Sequence, residues 1–303
     1  MTGSHRTIGK SRRFWLRRVL GCLCLLVGLV GGTGGCRDGM SQLAETQRLA
    51  VDVRIQLNLA ATASIRAVMA KTDPESIGFA REAEQEKQAL KKDVETMLPM
   101  LRELSYVKEA QMLEAFSQRF AEYEAIDRSV LELAVENTNL KAQQLSFTPA
   151  RESGNRVRAA LYAVARTAPP KNRCRVDSLV AGAVQAVLEI QVLHAPHIAE
   201  SNEAAMAAME KEMTDRLTAA QDALSALSSL IDPSAQDQLK AAMNALAQFQ
   251  SVHIEVIRLS RRNSNARSLE MALGQERSLT AACDTSISAL QAALAKAGVR
   301  PTR

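Results

Sequence analysis

The chain repeats itself. Shifted by 126 residues, the distance from Asn137 to Asn263, its two halves align without a gap from Leu98 to Val164. Leu98, Leu101 and Leu104 fall on Leu224, Leu227 and Leu230, Tyr123 falls on Phe249, and Val130 and Leu133 fall on Val256 and Leu259. The tripeptide Asn137-Thr138-Asn139 falls on Asn263-Ser264-Asn265. Identity is kept at apolar spacing positions and at one polar turn signal, the pattern left when a packed helical unit is duplicated. Any fold for this chain must be one that a unit of this length can adopt twice.

The period within each copy is helical. Past residue 40 the sequence is rich in Ala, Leu, Glu, Gln, Lys and Met and poor in Gly, and strand signals are absent. Tyr123, Ile126, Val130, Leu133 and Leu140 keep a 3-4 rhythm, repeated by Phe249, Val252, Val256, Leu259 and Ala266. Val157, Leu161, Val164 and Ala168 are echoed by Cys283, Ile287, Leu290 and Leu294. Such stripes are bundle seams. Thr72-Asp73-Pro74, the region around Ser105, and Asn137-Thr138-Asn139 break the first copy, giving helices near 38–71, 75–104, 106–137 and 139–168. An alternative division carries the third helix to Ser146 and starts the fourth at Thr148-Pro149, which makes the helices unequal. The second copy divides near 176–200, 202–231, 233–263 and 265–298, with a kink expected at Pro196. The fold expected is all-α, two tandem antiparallel up-down four-helix bundles over 38–168 and 176–298, joined by the Pro169-Pro170 linker 169–175. Asn137, Asn139, Asn263 and Asn265 are read as turn and cap residues between third and fourth helices. Paired Asn side chains could also hold a polar ligand, but Asn and Ser are ordinary capping residues.

Charge is localised. Arg6, Lys10, Arg12, Arg13, Arg17 and Arg18 precede residue 20; without these six, 32 of the 38 basic residues face 33 acidic ones. Phe249 is the only aromatic after Tyr162. Phosphate neutralisation and base stacking both lack their residues, so nucleic acid is excluded as a partner. The basic stretch leads into an apolar run from Val19 to Val30 and then Gly31-Gly32-Thr33-Gly34-Gly35-Cys36. A run of this length suits an export signal better than a membrane span. Ser11-Arg12-Arg13-Phe14-Trp15-Leu16-Arg17 resembles a twin-arginine export motif, and Gly35-Cys36 resembles the end of a lipobox with Thr33 where Leu is usual. Residues 1–36 are therefore read as an export signal, with lipidation of Cys36 tethering an extracytoplasmic protein to the membrane; an uncleaved signal anchor is the alternative. No second span is read. Cys283 fills the slot of Val157 and reads as a small core hydrophobe, and a Cys174–Cys283 disulfide is left open.

Chemistry-bearing motifs are few. His194-Ala195-Pro196-His197 is the one histidine pair, and a metal site would need further ligands such as His253 or Glu189. Pro196 distorts the helix and no Glu-x-x-His set accompanies the pair, so neither metal nor cofactor is expected. A nucleophile elbow, a phosphate-cradling glycine loop, a His-Glu-x-x-His helix and a haem attachment motif are all missing, and an enzyme is not expected.

The stretch Val130-Leu131-Glu132-Leu133-Ala134 with Asn137-Thr138-Asn139-Leu140-Lys141-Ala142-Gln143-Gln144-Leu145 resembles the last helical hairpin of the four-helix-bundle ligand-binding domain of methyl-accepting chemotaxis proteins. Ile257-Arg258-Leu259-Ser260, Asn263-Ser264-Asn265-Ala266-Arg267-Ser268-Leu269 and Leu273 repeat the pattern, and together the copies span about residues 40–298. The resemblance implies an extracytoplasmic sensory bundle that binds a small molecule. The family's linker module and cytoplasmic signalling hairpin have no counterpart here, so signalling would pass to a separate receptor or through a homodimer. No ligand-holding arginine can be carried over. Two functions follow: a membrane-tethered tandem sensor of a small ligand, or a structural or interaction protein of the cell envelope that binds nothing small. An unpaired polar or basic cluster inside a seam favours the first; an exposed apolar stripe favours the second.

Overall fold

The computed structural model describes residues 34–299, and side chains within 39–297. Residues 1–33 of the expected export signal lie outside the described residues, as does the side chain of Cys36. The described chain is all-α, with no strand among the described residues. Its helices are α1 (Gly34–Val68), α2 (Asp73–Glu103), α3 (Val107–Glu136), α4 (Thr138–Leu145), α5 (Arg151–Arg166), α6 (Arg173–Ala199), α7 (Glu203–Leu227), α8 (Gln236–Arg262), α9 (Ser264–Met271) and α10 (Arg277–Val299). One-turn π-helices, Ser146–Ala150 and Ala272–Glu276, join α4 to α5 and α9 to α10. Local chemistry sets the boundaries. Thr72 caps α2 by accepting from the Glu75 amide, while the Glu75 carboxylate accepts from the Lys71 amide, so donors that the helix cannot use are satisfied. Asn202 caps α7 through the Ala205 amide at 3.0 Å.

The helices form two antiparallel four-helix bundles, but not from contiguous halves. α1, α2 and α3 close their core with α10: Leu57, Leu90, Phe116 and Tyr123 pack with Cys283, Ile287, Leu290 and Leu294. α6, α7 and α8 close theirs with α5: Val157, Leu161 and Val164 pack with Val187, Leu224 and Phe249. Each copy lends its fourth helix to the other. The expected bundles 38–168 and 176–298 are corrected accordingly, and Pro169-Pro170 lies at a turn inside the second bundle rather than at a boundary between bundles. The cause is the break at Asn137 and Asn263. Each is a single residue with left-handed backbone (φ 49° and 50°), and helix resumes at once on its far side. An antiparallel helical hairpin needs a connection of about 2–5 residues to reverse the chain. One residue bends the path without reversing it, so α3 continues through α4 into the second bundle and α8 through α9 into the first. Asn137 and Asn263 mark the break between third and fourth helices, but the break is a kink and neither makes a side-chain capping bond; Asn139 and Asn265 lie in the first turns of α4 and α9.

Burial also corrects the repeat. From α3 onward the offset is 126, as Val130 and Val256 or Leu161 and Ile287 show. In the hairpins that precede it the buried positions Ser76, Ala83, Lys87, Leu90, Met97 and Leu101 recur at Met206, Met213, Leu217, Ala220, Leu227 and Ile231, an offset of 130, the distance from Ser76 to Met206. The stretch from Ile231 to Leu239 is therefore four residues shorter than its counterpart from Leu101 to Leu113, and the pairing of Leu98 with Leu224 does not hold in the structure.

Among the described residues one stretch, Pro170–Ala199, is long and apolar enough to cross a membrane. Here its helical part, α6, packs on α5, α7 and α8, with Val180, Val187 and Ile190 in the core. Cys174 is exposed at the start of α6 in the second bundle and Cys283 is buried in the first, both as free thiols. Burial pushes the Cys283 thiol up to about 11, in keeping with a core hydrophobe.

Candidate functional site

The offsets align one cross-section of the two bundles, and polar groups sit in it on both sides. In the first bundle, Asp127 of α3 is fully buried and accepts from Lys87 Nζ of α2 at 2.5 Å, from Ser64 Oγ of α1, and from the Tyr123 hydroxyl at 3.5 Å. Lys87 also pairs with the half-exposed Glu84 at 2.9 Å. Burial alone would lower the Lys87 pKa, but the adjacent Asp127 carboxylate outweighs it and the ammonium is held above its usual range. Glu276, from the π-turn before α10, completes the layer. It is 2% exposed, and its Oε2 has no hydrogen-bond partner. Burial, then the Asp127 charge and a hydrogen bond to Asp127, push its carboxyl up to about 8, so the acid is neutral at pH 7 and its proton serves Asp127. The Tyr123 hydroxyl is pushed up by burial and by the same carboxylates, so it too stays protonated.

The second bundle fills the same positions differently. Ser64 corresponds to His194, Lys87 to Leu217, Asp127 to His253, Tyr123 to Phe249 and Glu276 to Ala150. His194 Nε2 and His253 Nδ1 lie 3.0 Å apart, and His194 Nδ1 lies 3.2 Å from Ser146 Oγ. Desolvation, with the neighbouring imidazoles adding repulsion, lowers His194 to about 3 and His253 to about 4. Both are neutral at pH 7, and the Ser146–His194–His253 chain can point its protons in either direction. One turn away, His197 faces Ser260 Oγ at 2.8 Å and Glu210 Oε1 at 2.9 Å, and Arg261 clamps Glu210. The structure thus brings His253 to His194, as a metal site would require. However, their ring nitrogens bond each other, His197 turns to Ser260, and Glu189 pairs with Arg216 at 2.8 Å. Among the described residues no three His, Cys, Asp or Glu side chains converge as ligands.

Between the bundles the two Asn tripeptides face each other across an approximate two-fold axis. The Thr138 amide donates to Ser264 Oγ at 3.1 Å, and the Ser264 amide to Thr138 Oγ1 at 2.9 Å. The Asn139 and Asn265 amides donate to each other's side-chain oxygens at 3.1 and 3.2 Å. Asn139 Nδ2 donates to Asn263 Oδ1 at 2.7 Å, and Asn265 Nδ2 to Asn137 Oδ1 at 2.9 Å. These bonds join the two crossing helices; Asn139 and Asn263 also donate to the Ile198 and Glu200 carbonyls, and Asn137 Nδ2 is buried without a partner. The sequence picked out the residues but not their role as mutual partners.

Sequence reasoning missed Lys87, Asp127 and Glu276. The signal was present: Ala83, Lys87 and Leu90, like Tyr123, Asp127 and Val130, keep core spacing. The expected seam ran through Ile126 and Val252, whereas the buried positions are Asp127 and His253. A surface cleft of about 520 Å³ between α1 and α10 reaches Glu276, and one of about 350 Å³ between α2 and α3 reaches Lys87. The polar layer thereby spans the bundle from one groove to the opposite one. The fold and this layer define a double helical bundle with a charged interior. In comparison with known proteins, the chain matches no family model and no curated sequence.

Proposed function

We propose that the chain is a membrane-tethered tandem sensory protein of the chemoreceptor ligand-binding kind, exported, held through lipid on Cys36, and working through a separate signalling partner. The observation that carries this reading is the buried Lys87–Asp127–Glu276 layer. A charged layer is a poor way to stabilise a bundle, since apolar residues of the same volume do as well or better. Its contact with a cleft on either side of the bundle makes it a layer that a ligand can bias. The through-going helices supply the coupling: α3–α5 and α8–α10 each belong to both bundles, so a shift in one layer moves helices that build the other.

A melting screen of the full chain against amines, amino acids, carboxylates and small aromatics tests the reading. A saturable rise in melting temperature supports it, and a flat response across the panel at millimolar concentration overturns it. A second reading, an envelope interaction protein, is favoured by α1, where Val51, Ile55 and Leu59 are apolar and exposed. Partner-dependent protection of this stripe in hydrogen exchange, with no small-molecule response, would select it.

A further inference from the structure

The cleft between α1 and α10 is lined by Ala61, Ile65, Ala272 and Leu273, with the buried Glu276 beneath and Arg277 at its edge. The second bundle shows what this cleft looks like when closed. At the position of Ala61 it has Gln191, whose Nε2 donates to the Ala150 carbonyl at 2.8 Å and packs so tightly over Gly154 that a Cβ there would come within 2.5 Å. Ala150 is the counterpart of Glu276. One copy therefore has a plug and no acid, and the other has an acid and no plug. While the acid is neutral its proton serves Asp127, but once ionised under this open apolar cleft its Oε2 has no donor and is an unmet half of a hydrogen bond.

We propose that this cleft binds a small organic cation, a primary ammonium on a short apolar body, with the nitrogen on Glu276 and the body against Ala61, Ile65 and Leu273. The proposal rests on the ligand-binding reading above and names its site and ligand class. Local charge selects the sign. Asp127 of α3 and Glu84 of α2 already share Lys87, so an ionised Glu276 adds an acid that no cation in the layer balances. At the rim, Asp284 on the same helix is engaged by Arg54 of α1 at 2.7 Å, while Tyr123 of α3 and Ser64 of α1 offer hydroxyls only. Arg277 is exposed and leaves the buried oxygen unpaired. An anion would meet Asp127 behind Glu276, whereas an ammonium supplies both the missing donor and the missing charge. Since Glu276 is neutral at pH 7 and its ionised form suits the ligand, binding expels one proton.

Titration calorimetry of the full chain with n-butylammonium chloride, n-butanol and sodium butyrate tests this. Butylammonium should bind saturably, at least about tenfold tighter than either control. Its affinity should rise about tenfold per pH unit from pH 6 to 8 and level above, with about one proton released as read from buffers of different ionisation heat. Ala61→Gln with Thr280→Gly, which copies the Gln191 plug over Gly154, should abolish binding in a chain that still melts cooperatively. Glu276→Gln should weaken it at least tenfold and remove the pH dependence. No saturable heat with butylammonium, or unchanged affinity in both variants, overturns the proposal. If another compound of the melting panel binds while butylammonium does not, this proposal fails and the sensory reading stands; if the whole panel is silent, both fall.

Discussion

In the first bundle Lys87, Asp127 and Glu276 occupy the cross-section where the second bundle has Leu217, His253 and Ala150. The helices around them are copies with the same burial pattern, so the backbone did not dictate the choice. Charge in the first bundle depends on every partner being in place. Neutral imidazoles in the second need only one another and Ser146. The difference teaches that a duplicated scaffold can hold two unlike interiors, one built on charge and one on neutral imidazoles. The cleft follows the same division, open over Glu276 and plugged by Gln191 over Ala150.

The largest expected effect comes from breaking the charged pair. Asp127→Ala leaves the buried Lys87 ammonium with only the half-exposed Glu84 and should cost about 3–5 kcal/mol in denaturant unfolding, whereas Lys87→Leu with Asp127→Leu should return near the parent. His253→Leu, which strands only a neutral imidazole, should cost about 1–3 kcal/mol. Equal costs in the two bundles would break the comparison.

Acid and alkali should then separate the bundles. His194 and His253 are held at about 3 and 4, below the ordinary 6.5, so the unfolded chain takes up protons that the fold refuses. Their contribution is complete above pH 6.5 and lost as pH falls toward 4, by roughly 2 kcal/mol for a fully shifted histidine at pH 5. Glu276 runs the other way. Raised from 4.5 to about 8, its neutral form favours the fold at low pH, and that benefit is lost as pH rises through this window. Hydrogen exchange should show α6–α8 opening first on acidification. His253→Leu should flatten the acid limb and Glu276→Gln the alkaline one.

The smallest effect is at the crossing, where the bundles are alike. Asn137→Ala or Asn263→Ala forces an alanine into left-handed backbone and should cost about 1–2 kcal/mol, while Gly at either position keeps the bend and should cost less. Denaturant midpoints of the four single variants check this. A larger loss at one site than at its mate would show that the two-fold contacts are not equivalent in solution.

Much of this molecule could be read in advance. The seams Val157, Leu161, Val164 and Cys283, Ile287, Leu290 are buried as their spacing required. Asn137 and Asn263 carry the left-handed backbone that Asn tolerates. The candidate site was less legible, because a search for apolar periodicity steps over a buried Lys or Asp and lands on Ile126 and Val252 beside them. Glu276 could not be found from its own surroundings, since its π-turn and the missing donor at Oε2 exist only once four helices have met.

The sequence by itself determined that the chain is helical, that it is duplicated, and which faces are apolar, because these follow from propensity and period within each segment. Only the tertiary structure decided which fourth helix completes which bundle. The two candidates present matching apolar stripes, so local pattern is satisfied by either assignment. The choice falls to the bend at Asn137 and Asn263, whose single residue leaves no length in which to turn back, and to the hydrogen bonds that fasten the two crossing helices to each other.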